Sequence, residues 1–229
     1  MYLYKPSFLD EAFETTDWTP TNSTYSTDGD IATVQTTVAG GYITRSVSYD
    51  LTTYNQLKVK GAGYSPFVTA VCTGGNVTGY PTAGSRFNTI TLNLSGKGTL
   101  TAIQLGDQGA STYAYFDTVA LVKSTADYDL WDEELAGNLT KEIVIKPAPY
   151  ARDYVYDIGV RHFYFRYYGY IPDDTMRINL ENDVTNLSRF FFEDNEDSAT
   201  GVITQITTTI TPGRQYYDAE LVITKGRIV

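Results

Sequence analysis

The sequence predicts an all-β chain of two β-sandwich domains, an N-terminal jelly roll and a small C-terminal immunoglobulin-like sandwich, joined by a short helical linker. Three observations predict it. Gly, Thr, Ser and Asn punctuate the first half every eight to twelve residues or so, the spacing of short strands and their turns. Between these marks lie brief runs that alternate apolar and polar side chains. The balance of 42% hydrophobic and 19% charged residues is that of a globular protein, and Tyr is the outlier with 20 copies. Tyr offers apolar area plus one hydroxyl, which suits half-buried strands and recognition surfaces.

In chain order, strands are expected at Ile31–Thr37, Tyr42–Tyr49, Gln56–Lys60, Phe67–Cys72, Phe87–Leu94, Leu100–Leu105 and Ala114–Lys123. Thr89-Ile90-Thr91-Leu92-Asn93-Leu94 alternates cleanly, with Ile and Leu on one face and Thr and Asn on the other. That is a strand with one wet face, and this set of strands with turn signals makes a sandwich or jelly roll over residues 1–125.

Residues 126–139 break the pattern. Tyr128-Asp129-Leu130-Trp131-Asp132-Glu133-Glu134-Leu135-Ala136-Gly137 reads as one or two helical turns, capped by Asp127 or Asp129 and stopped by Gly137. Residues 140–229 return to strands, at Lys141–Lys146, Tyr154–Ile158, His162–Tyr168, Met176–Leu180, Phe190–Phe192, Gly201–Ile210 and Gln215–Thr224. The last two, joined by Thr211-Pro212-Gly213, form a hairpin.

Charge narrows the partners. A net charge of −10 and a pI near 4.5 repel phosphate backbones, so nucleic acid is not an expected partner. Cys72 is alone, so no intrachain disulfide forms. The start, MYLYKPSFLDEAFETTDW, lacks a basic segment followed by an apolar one, so no secretory leader is expected. No apolar run approaches membrane-spanning length, and membrane insertion is not expected.

The chemistry points away from an enzyme. His162 is the single histidine, flanked by Arg161 and Phe163 in a strand-like run. No nucleophile elbow and no phosphate-binding glycine loop occurs. One His and one Cys cannot close a zinc site. A glycosidase needs only two carboxylates, and 27 Asp and Glu residues leave such a pair open; most lie in turns, where solvation accounts for them. Glu193-Asp194-Asn195-Glu196-Asp197-Ser198 reads as a solvated acidic loop.

Two resemblances extend this reading. Phe13-Glu14 followed by Trp18, the turn Ser26-Thr27-Asp28-Gly29-Asp30, and the closing strand Tyr115-Phe116-Asp117-Thr118-Val119-Ala120-Leu121-Val122 resemble a carbohydrate-binding-module jelly roll of the kind appended to glycanases. The resemblance implies a structural Ca²⁺ held by Glu14 and Asp117, with Asp28 or Asp30 assisting. It also implies aromatic platforms that stack on sugars, for which Tyr42, Tyr49, Tyr64, Tyr80 and Tyr113 are the candidates; the same tyrosines would otherwise fill the core or a subunit interface. The hairpin Ile210-Thr211-Pro212-Gly213-Arg214-Gln215-Tyr216-Tyr217-Asp218-Ala219-Glu220-Leu221 resembles the closing hairpin of small sandwiches in tailed-phage baseplate and virion proteins. Together they imply a non-enzymatic virion protein, a capsid decoration, fibre or tail adaptor. It would be homo-oligomeric, assemble with other virion proteins and display a module for a cell-surface glycan. The alternative is a secreted or cell-surface carbohydrate-binding protein, with which the sequons at Asn22, Asn76, Asn93, Asn138 and Asn186 agree.

Overall fold

The computed structural model describes residues 1–28, 31–132, 142–145, 163–193, 198–210, 212 and 216–225. The chain divides into two compact units. One is Pro6–Ser124, and the other joins Met1–Lys5 to Thr125–Val229. The first strands in chain order are β1 (Tyr2–Tyr4), β2 (Phe8–Asp10), β3 (Thr19–Thr21), β4 (Ser23–Asp28), β5 (Ile31–Thr36) and β6 (Tyr42–Asp50). Next come β7 (Gln56–Gly63), β8 (Pro66–Cys72), β9 (Val77–Gly79), β10 (Gly84–Asn93), β11 (Thr99–Asp107) and β12 (Tyr113–Val122). Every strand expected in this half is present; β1 to β4 and β9, short or polar, are additions.

Strands β2 to β12 build a sandwich of two antiparallel sheets. The back sheet runs β10-β7-β12-β5-β4, with β2 also paired to β12, and the front sheet runs β3-β6-β11-β8-β9. Alternation sorts the residues. On β5, Ala32, Val34 and Thr36 point in; on β8, Val68, Ala70 and Cys72 do. Two bulges keep the pattern in phase. Pairing shifts between Leu100 and Ala102, so Leu100 and Ile103 both face the core. A second shift between Phe116 and Thr118 does the same for Phe116 and Val119. Phe13, Trp18, Ile43, Leu57, Leu105 and Phe116 fill the space between the sheets. Cys72 is buried there, and burial pushes its thiol pKa up, which makes it inert.

The other unit adds β13 (Tyr128–Asp129), β14 (Trp131–Asp132), β15 (Glu142–Ile145), β16 (Phe163–Ile171), β17 (Arg189–Glu193), β18 (Ser198–Ile210) and β19 (Tyr217–Lys225). These strands form one antiparallel sheet in the order β13-β1-β17-β18-β19-β16-β14, with β15 also on β16. Strand β1 is therefore an interior strand of this unit, although the sequence reading grouped it with the jelly roll. Leu3 is fully buried with Leu130, Ile171, Leu180, Phe190, Ile203 and Leu221.

Two expectations for this half are corrected. Met176–Leu180 is not a strand but part of helix α1 (Asp174–Thr185), the one helix among the described residues. Asp173 caps it, its carboxylate accepting from the Met176 N–H. Met176, Leu180 and Val184, four residues apart, face the core. The start of the expected helical linker is extended instead. Tyr128 pairs with Leu3, Trp131 pairs with Tyr170, and Tyr128 and Leu130 are buried around an exposed Asp129. Glu133–Gly137, Tyr154–Ile158, His162 and the loop at 194–197 lie outside the described residues.

Candidate functional site

The outer face of the front sheet follows from its register. Ile43, Leu105, Val68 and Val77 turn toward the core, so their neighbours turn out. Tyr42 pairs with Gly106, and Gly106 pairs with Phe67, while Tyr80 follows Gly79, the residue opposite Val68 at the end of β9. One row across the sheet thus reads Tyr42, Gly106, Phe67, with Tyr80 just beyond the paired residues of β9. Glycine is required in it. A Cβ on Gly106 would come within 2.7 Å of the Phe67 ring and 2.3 Å of the Gly41 carbonyl oxygen, so the ring lies over bare backbone. Tyr80 is 58% exposed.

The next row of the same face is polar. It reads Thr19, Thr44, Gln104, Thr69, Thr78 across five strands. The Thr69 and Thr78 hydroxyls share a hydrogen bond of 2.8 Å. Ser46 opposite Ala102 follows. None of these outward positions carries a charge, although the chain as a whole carries −10. The face is an aromatic row beside a row of hydroxyls and one amide.

The back sheet has a second aromatic group. On β12, Ala114 and Phe116 are buried and Tyr113 and Tyr115 stand outside. Their rings are 6.4 Å apart with 10° between planes. Tyr64 donates its N–H to the Tyr113 carbonyl at 3.2 Å. Gln35 lies opposite Tyr113 and Thr33 opposite Tyr115.

The five expected platforms therefore separate. Tyr42 lies in the front row and Tyr80 follows the end of β9, Tyr64 is joined through its backbone to Tyr113 at the back, and Tyr49 turns inward, where its ring meets Phe8 at 5.6 Å between centroids. Its odd-numbered position on β6 places it with Ile43 and Val47 on the core side. Phe67, Gln104 and Tyr115 were not singled out from sequence. Phe67 opens a strand whose face cannot be assigned until Gly106 is seen beneath it.

Of the expected calcium carboxylates, Glu14 and Asp28 are exposed, and Asp30 lies outside the described residues. Asp117 faces the Lys60 ammonium at 3.8 Å, a neighbour that opposes a bound cation. Among the described residues no three Asp, Glu, His or Cys side chains gather as metal ligands. Asp107 and Asp10 are both buried carboxylates of this unit, and the sequence marked neither; the one that meets a guanidinium is Asp10. It accepts from the Phe13 N–H at 2.8 Å and the Trp18 indole N–H at 2.9 Å, and pairs with Arg45. Arg45 also reaches Asp17 at 2.9 Å and lies over the Phe8 ring.

In the other unit, Lys5, Asp127, Tyr128, Asn179, Asn182 and Asp183 line an open cavity of about 370 Å³. Asp183 accepts from Lys5 and Ser188 at 3.0 and 3.1 Å and from the Tyr128 hydroxyl. Burial acts to raise its pKa, but these donors outweigh it and hold the carboxyl below its usual value. The carboxylate serves as the knot between strand β1 and helix α1.

No family model matches the chain, and no curated protein matches it. Solved structures match the chain at low scores. One is a low-affinity xylan-binding module of family CBM86 from the gut symbiont Roseburia intestinalis. It has 13% identity and a TM-score of 0.41 over 51% of this chain and 95% of that one. Variants of a family 29 carbohydrate-binding module are similar at the same level. The one with cellulohexaose has 10% identity and a TM-score of 0.40 over 52% of this chain and 92% of its own. The one with mannohexaose has 12% identity and a TM-score of 0.40 over 51% and 89%. Scores this low leave the question of a ligand to the residues of the faces themselves.

Proposed function

We propose that the Pro6–Ser124 unit binds a neutral, linear polysaccharide on the outer face of its front sheet, without turning it over. What supports this is an aromatic row, Tyr42 and Phe67 with Tyr80 just beyond β9, beside an uncharged polar row, Thr44–Gln104–Thr69–Thr78, two residues along the strands on the same face. A pyranose presents C–H groups on its ring face and hydroxyls at its edge. The first kind of surface stacks on aromatic faces, and the second exchanges hydrogen bonds with hydroxyl and amide side chains. A charged ligand would find no counter-ion at these positions. A sheet face also lets the middle of a long chain lie across it, since it does not need a chain end.

Affinity electrophoresis and calorimetry against neutral polysaccharides, with xylan, cellulohexaose and mannohexaose included, test the reading. Tyr80→Ala and Tyr42→Ala should each weaken binding roughly tenfold, the size of a lost anchor side chain, with unchanged melting temperature. No reducing ends should be released from any bound polymer. Binding that survives both substitutions together, or retardation by none of the polymers, would falsify the assignment of this face.

A further inference from the structure

We infer that the same unit carries a second glycan-binding face on its back sheet, centred on Tyr113 and Tyr115, so that one molecule bridges two polysaccharide chains. The ligand class rests on the reading above; the site rests on its own geometry. Tyr113 and Tyr115 are 43% and 36% exposed, and Tyr64 beside them is 71% exposed. Several other aromatic side chains of the unit have internal partners: Phe13 and Trp18 pack together in the core, and the Tyr25 hydroxyl donates to the Phe13 carbonyl. The back-sheet group has no such employment. Two stacked rings in water, next to a strand end that carries the exposed Tyr64, are an unusual feature for a surface that only needs to be soluble.

The surroundings favour a sugar over an ion or an apolar partner. Across the strand from Tyr113 and Tyr115 stand Gln35 and Thr33, and beyond these Thr24 and Ser26. Thr24 is already within 3.4 Å of the Gln35 amide. This is again a patch of rings flanked by hydroxyls and an amide. The nearest charge on β12 itself, Asp117, faces the Lys60 ammonium of β7 at 3.8 Å. Because the two sheets of a sandwich present their outer faces in opposite directions, a polymer on one cannot obstruct a polymer on the other. Two weak faces on one rigid unit then act as a cross-link, and a network gains from effective concentration what each face lacks in affinity.

A bridging assay separates the outcomes. Xylan, glucomannan or mixed-linkage β-glucan is immobilised, the full chain is added, and capture of the same polymer in fluorescent, soluble form is measured. The proteins are the wild type, the back-face variant Tyr113→Ser with Tyr115→Ser, the front-face variant Tyr42→Ser with Tyr80→Ser, and all four changes combined. Tyr64→Ala serves as a gentler back-face probe, and melting curves establish that each variant is folded. The wild type should capture soluble polymer. Each double variant should still bind one polymer, with a Kd within about threefold of its intact face, and lose at least about tenfold in capture; the fourfold variant should bind nothing. If the back-face variant captures as the wild type does, or if the wild type binds through Tyr42 and Tyr80 but captures nothing, the second face is wrong and the first reading stands. If no polymer binds the wild type, both are wrong. If the back-face changes turn a dimer into a monomer by sedimentation velocity, the tyrosines are a self-contact and the inference is overturned.

Discussion

At the scale of single residues, the informative group is Asp10. Its carboxylate is nearly inaccessible, and it ties a loop N–H, an indole N–H and the Arg45 guanidinium into one knot. Arg45 belongs to the front sheet and Asp10 to a strand of the back sheet, so the pair clasps the sandwich along one edge. A buried ion pair adds little net stability over apolar residues, but removing one partner strands a charge away from water. Arg45→Ala should therefore cost about 3–5 kcal/mol. Urea unfolding of the variant checks this, and Arg45→Ala with Asp10→Asn should recover part of the loss. A loss below about 1 kcal/mol would mean that the pair behaves as a solvated one. Nothing in Phe8-Leu9-Asp10 signals this role, because the partners lie in a turn and on another strand. Glu14 and Asp117 were legible as acidic residues in a familiar pattern, yet sequence pattern does not report which cation, if any, an acid faces; Asp117 faces Lys60.

Elements show the same limit in another form. Met176-Arg177-Ile178-Asn179-Leu180 alternates apolar and polar with a period of two, which is why it reads as a strand. The same segment, extended to Val184, also repeats with a period near four, which is why it can be a helix. Local chemistry breaks the tie. Asp173 supplies an N-cap, and Arg177 reaches both Asp174 at 2.7 Å and Glu181 at 2.8 Å, contacts that only helical spacing permits. Pro172-Asp173-Asp174 was the signal available in the sequence. Replacing Asp173 by Ala should lower stability by about 1 kcal/mol. Amide exchange should show faster opening at Met176 than in the wild type; equal protection would assign the helix's stability wholly to Leu180 and its packing. The sandwich strands were easier to read, because β5 and β12 alternate over many residues. Strands β1 to β4 were missed because three-residue or hydroxyl-rich runs carry no periodicity. The outward faces were half legible: tyrosines can be counted, but which of them share a row depends on bulges and on Gly106.

For the molecule as a whole, a chain with net charge −10 presents an uncharged face to its proposed ligand. Association with a neutral polymer gains nothing from long-range steering, and salt screening removes nothing. Affinity for the best polysaccharide should change by less than about twofold between 0.02 and 0.5 M NaCl, a range over which the Debye length falls several-fold. A tenfold change in calorimetric Kd over that range would instead indicate charged groups at the binding surface.

Strand β1 has a consequence for how the polypeptide is made. Leu3 sits between Tyr128 and Phe192, in contacts spanning most of the chain. During synthesis these residues leave the ribosome ahead of their partners, and their second neighbour emerges only after a further 190 residues or so have been translated, at roughly 5–20 residues per second. The sandwich can close in the meantime; the other unit must wait with its first strand in hand. Expression of residues 125–229 alone would leave a gap between β13 and β17, one strand in from the sheet's edge, and a peptide spanning residues 1–5 is the piece that fits it.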